Sequence, residues 1–372
     1  MIPQEVLERR WRLVQAALEE AGLDALIAAS RGVIGAFGNV FYLCGYAPLL
    51  RPAYAVLRRD GPPLLFASSE TDVALMRAAG AVVEVRSSGA TDARPGPLST
   101  AEAVVSELRG VGRVGVAGLM DIVPAADADL FRRELGAVDA SQLLARVKAC
   151  KDAWELDRVR DAFALAGLAY DAGVALLAPG ARAQELVAEV ERVLRANGAL
   201  EALVFVDSAV AFARRVTPTV LQRGDLVTVL VEVATEAGCW VEQGGLFSLG
   251  EPTARALAVA DVCYGALAEI RSAVAPGVPV ARASEIAAEF AAAGGLRLGI
   301  NLGHGIGTDH DLPRLAPGAP GVFAEGHVLS VHPNLFAAEA GVGGTVADAL
   351  QVTATGCESL SGLPYQLTTI AE

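Results

Sequence analysis

The segment Asp152-Ala153-Trp154-Glu155-Leu156 opens the stretch on which the fold turns. Asp152 is suited to cap a helix, and Glu155, three residues on, to complete a capping box, because each side chain reaches a backbone N–H that the first helical turn leaves unpaired. Leu156, Val159, Phe163, Leu165 and Leu168 follow at near-helical spacing. Pro179-Gly180 stops that run, and 183–197 reads as a second helix ended by Asn197-Gly198. Three β-like runs come next, at 202–207, 225–234 and 238–248. The same order then returns. Helices at 252–274 and 281–293 flank Pro276-Gly277, and strands follow near 327–332, 341–346 and 349–353. Helix, Pro-Gly, helix and three strands, written twice, is an internal repeat of architecture.

Upstream the pattern is different. Residues 3–22 read as an amphipathic helix ended by Gly22, and the basic cluster Glu8-Arg9-Arg10-Trp11-Arg12 within it as a solvated helix face. Ala25–Ala29, Phe41-Tyr42-Leu43, Tyr54–Leu57 and Leu64–Ala67 read as short buried strands, with Arg58–Pro63 as a turn. Helices at 69–79 and 100–110 alternate with strands near 82–85 and 113–117. Such alternation predicts a mixed sheet with helices packed on it. The fold class expected is therefore α/β: a mixed α/β domain over 1–145, then a pseudo-duplicated α+β domain over 146–372.

Composition narrows the function classes. A chain of 372 residues with 53% hydrophobic and 20% charged side chains buries more than one ordinary core. Its net charge of −13 excludes a phosphate-neutralising surface, so no nucleic-acid partner is expected. No run of apolar residues free of charge, Gly and Pro is long enough to span a bilayer, so no membrane partner is expected either. The opening MIPQEVLERRW has no secretory character, and five scattered cysteines without a CxxC pair suit a reducing compartment, so the expected location is cytoplasmic.

All four histidines, His304, His310, His327 and His332, lie in one window near the C-terminus. Gly303-His304-Gly305-Ile306-Gly307 within it is not a phosphate loop, since no Lys-Ser/Thr pair follows it in a strand-to-helix setting.

The doubled layout resembles the pita-bread fold of creatinases, prolidases and Xaa-Pro aminopeptidases. Arg146–Leu156 resembles the opening of their catalytic domain, and Gly224-Asp225-Leu226-Val227 the start of their ligand hairpin. Gly303–Gly307 matches their GHGIG, and Glu325–Pro333 is similar to their xPGMVFTIEP. Val352-Thr353 and Gly356-Cys357-Glu358 resemble their closing segment, and Leu23–Leu26 with Phe41–Tyr46 the opening of their N-domain.

The resemblance implies two divalent metals held by two Asp, one His and two Glu, because such cations need deprotonated donors and a bridging carboxylate holds two of them together. Carried over residue by residue, the first Asp falls on Val231, with Leu230 or Glu232 in its place after a register slip. The second falls on Glu242, the His on His304, the first Glu on His332, and the second Glu on Ala347 with Asp348 beside it. Val and Ala cannot ligate a metal. The family's substrate-positioning histidines fall on Arg215 and near His310 or Asp311, and an Arg of its TRTF run becomes Gly245.

Two cofactor expectations follow: no metal, or one divalent Zn or Fe on Glu242, His304 and His332, but not the usual dinuclear centre. In either case His304, His332 and Glu242 are the expected catalytic groups. Arg215, which suits a forked grip on a carboxylate, His310 and Asp311 are the expected substrate-binding groups. The expected function is cleavage of a C–N bond in a small-molecule, polar substrate. The alternatives are an ordinary metal-dependent Xaa-Pro peptidase, a repurposed non-hydrolytic enzyme and a non-catalytic binding relative. The resemblance also implies a homodimer.

Overall fold

The computed structural model describes residues 2–32, 35–49, 51–78, 81–89, 98–208, 218–299, 301–337 and 342–371. The chain divides into two units, Met1–Lys148 and Ala149–Glu372.

The first unit runs α1 Gln4–Glu20, β1 Ala25–Ser30, α2 Gly38–Cys44, β2 Ala53–Arg58, β3 Leu64–Ala67, α3 Glu70–Ala78, β4 Glu84–Ser87, α4 Thr100–Leu108, β5 Val114–Ala117, α5 Ala125–Leu135, β6 Val138–Asp139 and α6 Ser141–Ala149. Its six strands form one sheet in the order β4-β3-β2-β1-β5-β6. β1 pairs antiparallel with β2 and parallel with β5, which makes the sheet mixed, as expected.

Two local expectations fail here. Phe41-Tyr42-Leu43 is not a strand; it lies in α2, which ends on Gly45 in the left-handed region (φ 66°), its N–H bonded to the Phe41 carbonyl at 2.8 Å. All three side chains are buried, and a short run buried on every side has no period to tell helix from strand. The basic cluster of α1 is also not wholly solvated. Arg10 is 1% exposed, with its guanidinium over the Tyr42 ring at 4.5 Å and bonded to the Tyr42 carbonyl, and Trp11 donates to the Leu43 carbonyl at 2.7 Å.

The second unit runs α7 Ala153–Val174, α8 Ala183–Ala196, β7 Ala199–Ser208, β8 Leu226–Thr235, β9 Trp240–Leu249, α9 Ala254–Ala273, α10 Ala281–Ala293, β10 Arg297–Leu298, β11 Gly303–Ile306, β12 His310–Leu315, β13 Val328–Val331, β14 Asn334–Ala337, β15 Val342–Thr345, β16 Asp348–Val352, β17 Cys357–Ser359 and β18 Thr368–Ile370. Asp152 and Glu155 form the capping box of α7, with Glu155 N–H on the Asp152 carboxylate at 2.6 Å and Asp152 N–H on Glu155 at 3.1 Å.

The two halves each lay a helix pair on a sheet. β18-β9-β8-β7 forms one sheet, β12-β11-β13-β16-β17 a second, and β10-β14-β15 a third. Val227, Val229, Val231, Val233 and Val241 turn one face of the first sheet into the core of α7 and α8, with Val159, Phe163, Leu186 and Val190. Each of these buried valines contributes about 1.5–3 kcal/mol through apolar area removed from water. Side chains alternate along a strand, so the residues between them face the other way. Leu226 and Leu246 on that opposite face pack with Val259, Ala260 and Leu267 of α9.

Candidate active site

The alternation that buries the valines also presents two carboxylates. Glu232 on β8 stands directly across from Glu242 on β9, on the face away from α7 and α8. Both are buried. Burial, and then the neighbouring Glu242 charge, push the Glu232 carboxyl well above the usual range, so it holds its proton where an isolated carboxyl would not.

The imidazoles come from the second sheet. His304 is on β11, His310 opens β12, and His332 directly follows β13. A register shift between His304 and Gly305 brings His304 over His310, and their rings stack at 4.1 Å. His332 meets His304 edge-on at 5.5 Å.

Glycine makes this packing possible. A Cβ on Gly303 would lie 2.1 Å from the Ser330 carbonyl oxygen, and one on Gly305 2.0 Å from that of Leu312. One on Gly307 would lie 2.7 Å from both Asp311 Oδ2 and Lys151 Cε. Backbone therefore occupies the space that side chains at 303 and 305 would need.

Around Glu242 the contacts are specific. Ser330 Oγ donates to Oε2 at 2.5 Å. Oε1 faces His304 Nε2 at 3.5 Å and His310 Nε2 at 3.6 Å, too far for good hydrogen bonds, while His332 Nε2 stands 4.0 Å from Oε2. Among the described residues, neither Glu242 Oε1 nor His310 Nε2 has a hydrogen-bond partner.

The proton positions follow from the partners. His304 Nδ1 lies 3.1 Å from the Gly305 carbonyl, which can only accept, so Nδ1 carries the hydrogen and donates it. In the neutral ring the Nε2 lone pair then points towards Glu242. Burial pushes His304 and His332 down to about 4, and lowers His310 as well, with the neighbouring His304 adding to the effect. At neutral pH the three rings are thus uncharged, and each has one nitrogen lone pair to offer. Glu242, His304 and His310 each offer one ligand atom, and these lie within 4.8 Å of one another. Such a donor set fits one cation.

Residues 157–354 match metallopeptidase family M24, and residues 10–150 match the creatinase/prolidase N-terminal domain. The chain belongs to metallopeptidase family M24. An uncharacterised peptidase of Staphylococcus saprophyticus is 26% identical over 233 residues, a match spanning 60% of this chain and 66% of that protein. Among solved structures, dipeptidase PepE from Mycobacterium ulcerans shares the fold at a TM-score of 0.82 and 24% identity, with full coverage of both chains. The prolidase from Pyrococcus horikoshii OT3 does so at 0.81 and 18%, covering 96% of this chain and 99% of that one. The M24 fold and its creatinase-like N-terminal domain are those expected from the sequence motifs.

Within this M24 site the expected residues fall as follows. Glu242, His304 and His332 come together, but His310, expected to touch substrate, stands closer to Glu242 than His332 does. Val231, on which the resemblance placed the family's first Asp, is completely buried and faces the α7/α8 core; Glu232, its alternative after a one-residue slip, is the residue that stands across from Glu242. The two choices present different faces because one residue of slip reverses every side chain of a strand.

Ala347 lies against the hairpin, exchanging backbone hydrogen bonds with Gly244 at 2.9 and 3.0 Å, and has no donor atom to offer. Asp348 beside it is engaged elsewhere, accepting from Tyr365 Oη at 2.5 Å and Ser361 N–H at 3.2 Å. Asp311 pairs with Lys151 at 3.4 Å, and its charge also acts on the His304 and His310 rings. Gly245 leaves room for two phenols, since a Cβ there would lie 2.7 Å from Tyr170 Oη and 3.3 Å from Tyr264 Oη. His327 belongs to another environment, where its Nδ1 accepts from Ala324 N–H at 3.2 Å. Arg215 lies outside the described residues.

Sequence reasoning gave Ser330 no role and Lys151 only a place in a motif. For Ser330 the signal was present: it lies two residues before His332 in a run that reads as a strand near 327–332, so alternation puts both on the same face.

Proposed function

We infer that this M24 protein is a hydrolase of a C–N bond in a small polar substrate and works with one divalent ion rather than two. The observation that carries this reading is the convergence of Glu242 Oε1, His304 Nε2 and His310 Nε2, two of which have no hydrogen-bond partner among the described residues. Buried polar atoms without a partner are costly, and a cation held by the Glu242 carboxylate and the ring lone pairs removes that cost. A set rich in imidazole suits Zn or Fe. The alanine at 347 leaves no bridging carboxylate at that position for a second ion.

When bound, an ion of this class supplies a hydroxide at neutral pH and polarises the scissile carbonyl. The protein's own groups do the rest. The Gly305 carbonyl holds the His304 tautomer that keeps its Nε2 lone pair turned inward, and Ser330 fixes Oε2 so that Oε1 faces the rings. Across the hairpin, Glu232 is a second carboxyl beside the site, placed to exchange a proton with a leaving amine. Arg215 remains the candidate grip on a substrate carboxylate. A homodimer and a reducing compartment belong to the same reading; all five cysteines lie outside any disulfide, and among the described residues no helix is long and apolar enough to cross a membrane.

A second reading is an ordinary Xaa-Pro peptidase with two ions. Its support is Glu232, a second carboxylate across from Glu242. Metal analysis of chelator-free protein separates the two. We expect about one Zn or Fe per chain, lost in His304→Ala and His310→Ala and weakened in His332→Ala. About two per chain, with cleavage of Xaa-Pro dipeptides, establishes the second reading. No metal, and none taken up, leaves a metal-free acid–base pocket and overturns both.

A further inference from the structure

Two of the 30 Lys and Arg residues are lysines, Lys148 and Lys151, and both are buried. Arginine supplies every other cation of the chain. At Lys151 the reason is space. Its Cε and Nζ would lie 2.7 and 3.0 Å from a Cβ on Gly307, so the narrow ammonium fits where a planar guanidinium would not.

Lys151 is a fixed post. Its N–H bonds to the Gly326 carbonyl at 2.8 Å, and the preceding Cys150 bridges to His327. Its Nζ donates to the Ala149 carbonyl at 3.1 Å and lies 3.4 Å from Asp311 Oδ2. The Lys151 and Asp311 side chains are 3% and 2% exposed, so the pair is screened from water.

Asp311 is the residue after His310 on β12, so the two side chains leave opposite faces of that strand. One face carries His310 to Glu242, and the other carries Asp311 to Lys151. Asp311 is thus anchored beside His310, on a strand that backbone pairing to β11 also holds.

We propose that Lys151 is a positioning residue of the active site: through Asp311 it latches β12 so that His310 stacks on His304 and faces Glu242. This rests on the one-ion reading only for its functional consequence, the assembly of the donor set. The latch itself is a property of the metal-free protein.

The test is nuclear Overhauser transfer between the ring protons of His304 and His310 in metal-free, histidine-labelled protein, with zinc affinity measured in parallel. Wild type should show the cross-ring signal. Lys151→Met and Asp311→Asn should lose most of it and bind zinc at least about tenfold more weakly, the range for loss of a group that orients a metal ligand. Gly307→Ala keeps both charges, presses a methyl on the flexible ends of Lys151 and Asp311, and should weaken the signal in the same way. It decides the matter if either charge variant fails to fold. A cross-ring signal of wild-type strength in Gly307→Ala and in every folded charge variant overturns the latch. If no version binds zinc, the one-ion reading fails, and the ring signal still decides the latch.

Discussion

The two halves of the C-terminal unit bring functional side chains to one place by different means. The first half uses two ten-residue strands, β8 and β9, in unbroken register from Leu226–Ser248 to Ala234–Trp240. Glu232 and Glu242 face the site there simply because alternate residues do. The second half uses strands of four and six residues, β11 and β12, whose register shifts at His304 and whose backbone approaches neighbouring chain too closely for side chains at Gly303 and Gly305. A regular sheet places groups by parity, and an irregular one places them by contact. The carboxylate side should therefore tolerate substitution better than the imidazole side, except at Gly244, where a Cβ would lie 2.8 Å from the Val229 carbonyl oxygen.

The largest effect expected breaks that comparison most directly. Gly305→Ala puts a Cβ on a backbone carbonyl that cannot move aside, and should cost more than about 4 kcal/mol or prevent folding. Val231→Ala in the regular hairpin should cost about 2–3 kcal/mol, the ordinary price of a buried truncation. Urea unfolding of the two variants measures both, and similar losses would remove the distinction.

The second expectation separates the two carboxylates. Glu242→Gln should weaken zinc binding by about a hundredfold or more, as loss of a ligand does. Glu232→Gln should change it by less than about tenfold, as loss of a neighbour does. Titration calorimetry reads both, and equal losses would favour the two-ion reading.

A smaller effect lies in the pH dependence of the metal-free protein. Burial holds His304, His327 and His332 near 4 in the folded chain, against 6.5 when unfolded. The unfolded chain therefore binds protons first, and stability should be complete above pH 6.5 and fall as pH drops from there towards 4. Glu232 acts with opposite sign. Its folded carboxyl is raised above the unfolded 4.5, so its contribution is complete below 4.5 and is lost as pH rises. Glu232→Gln should therefore flatten the alkaline side of a stability profile and leave the acid side unchanged.

The smallest effect concerns the histidine outside the cluster. His327→Leu removes the hydrogen-bond acceptor for Ala324 N–H and should cost about 1 kcal/mol, with metal content unchanged. Loss of metal in that variant would show that the imidazole side is coupled more widely than its contacts suggest.

Much of the architecture was legible in advance. The capping box at Asp152, the Pro-Gly stops and the doubled order of helices and strands are local signals, and local signals survive folding. Phe41–Leu43 was misread because its burial on all sides erased the period. β11 and β12 have too few residues to show alternation, so only the GHGIG resemblance marked them. Within the site, Glu242, His304 and His332 were visible as residue types in matching motifs. That His310 stands beside Glu242 was not legible, because neighbours in sequence say nothing about a register shift, and the choice between Val231 and Glu232 for the family's first Asp stayed open to a one-residue slip because matching motifs do not reveal which face of a strand a residue occupies.

By itself the sequence determined the family, the fold class and the chemical inventory: three of the imidazoles and one carboxylate that meet, and the alanine that cannot ligate. These are matters of covalent identity and local pattern. The tertiary structure alone decided that Glu232 rather than Val231 faces Glu242, that His310 stands nearer to it than His332, and that Lys151 holds the strand from behind. Each of those depends on register and on close approach between distant segments, which are set by strand pairing and packing rather than by the order of residues along the chain.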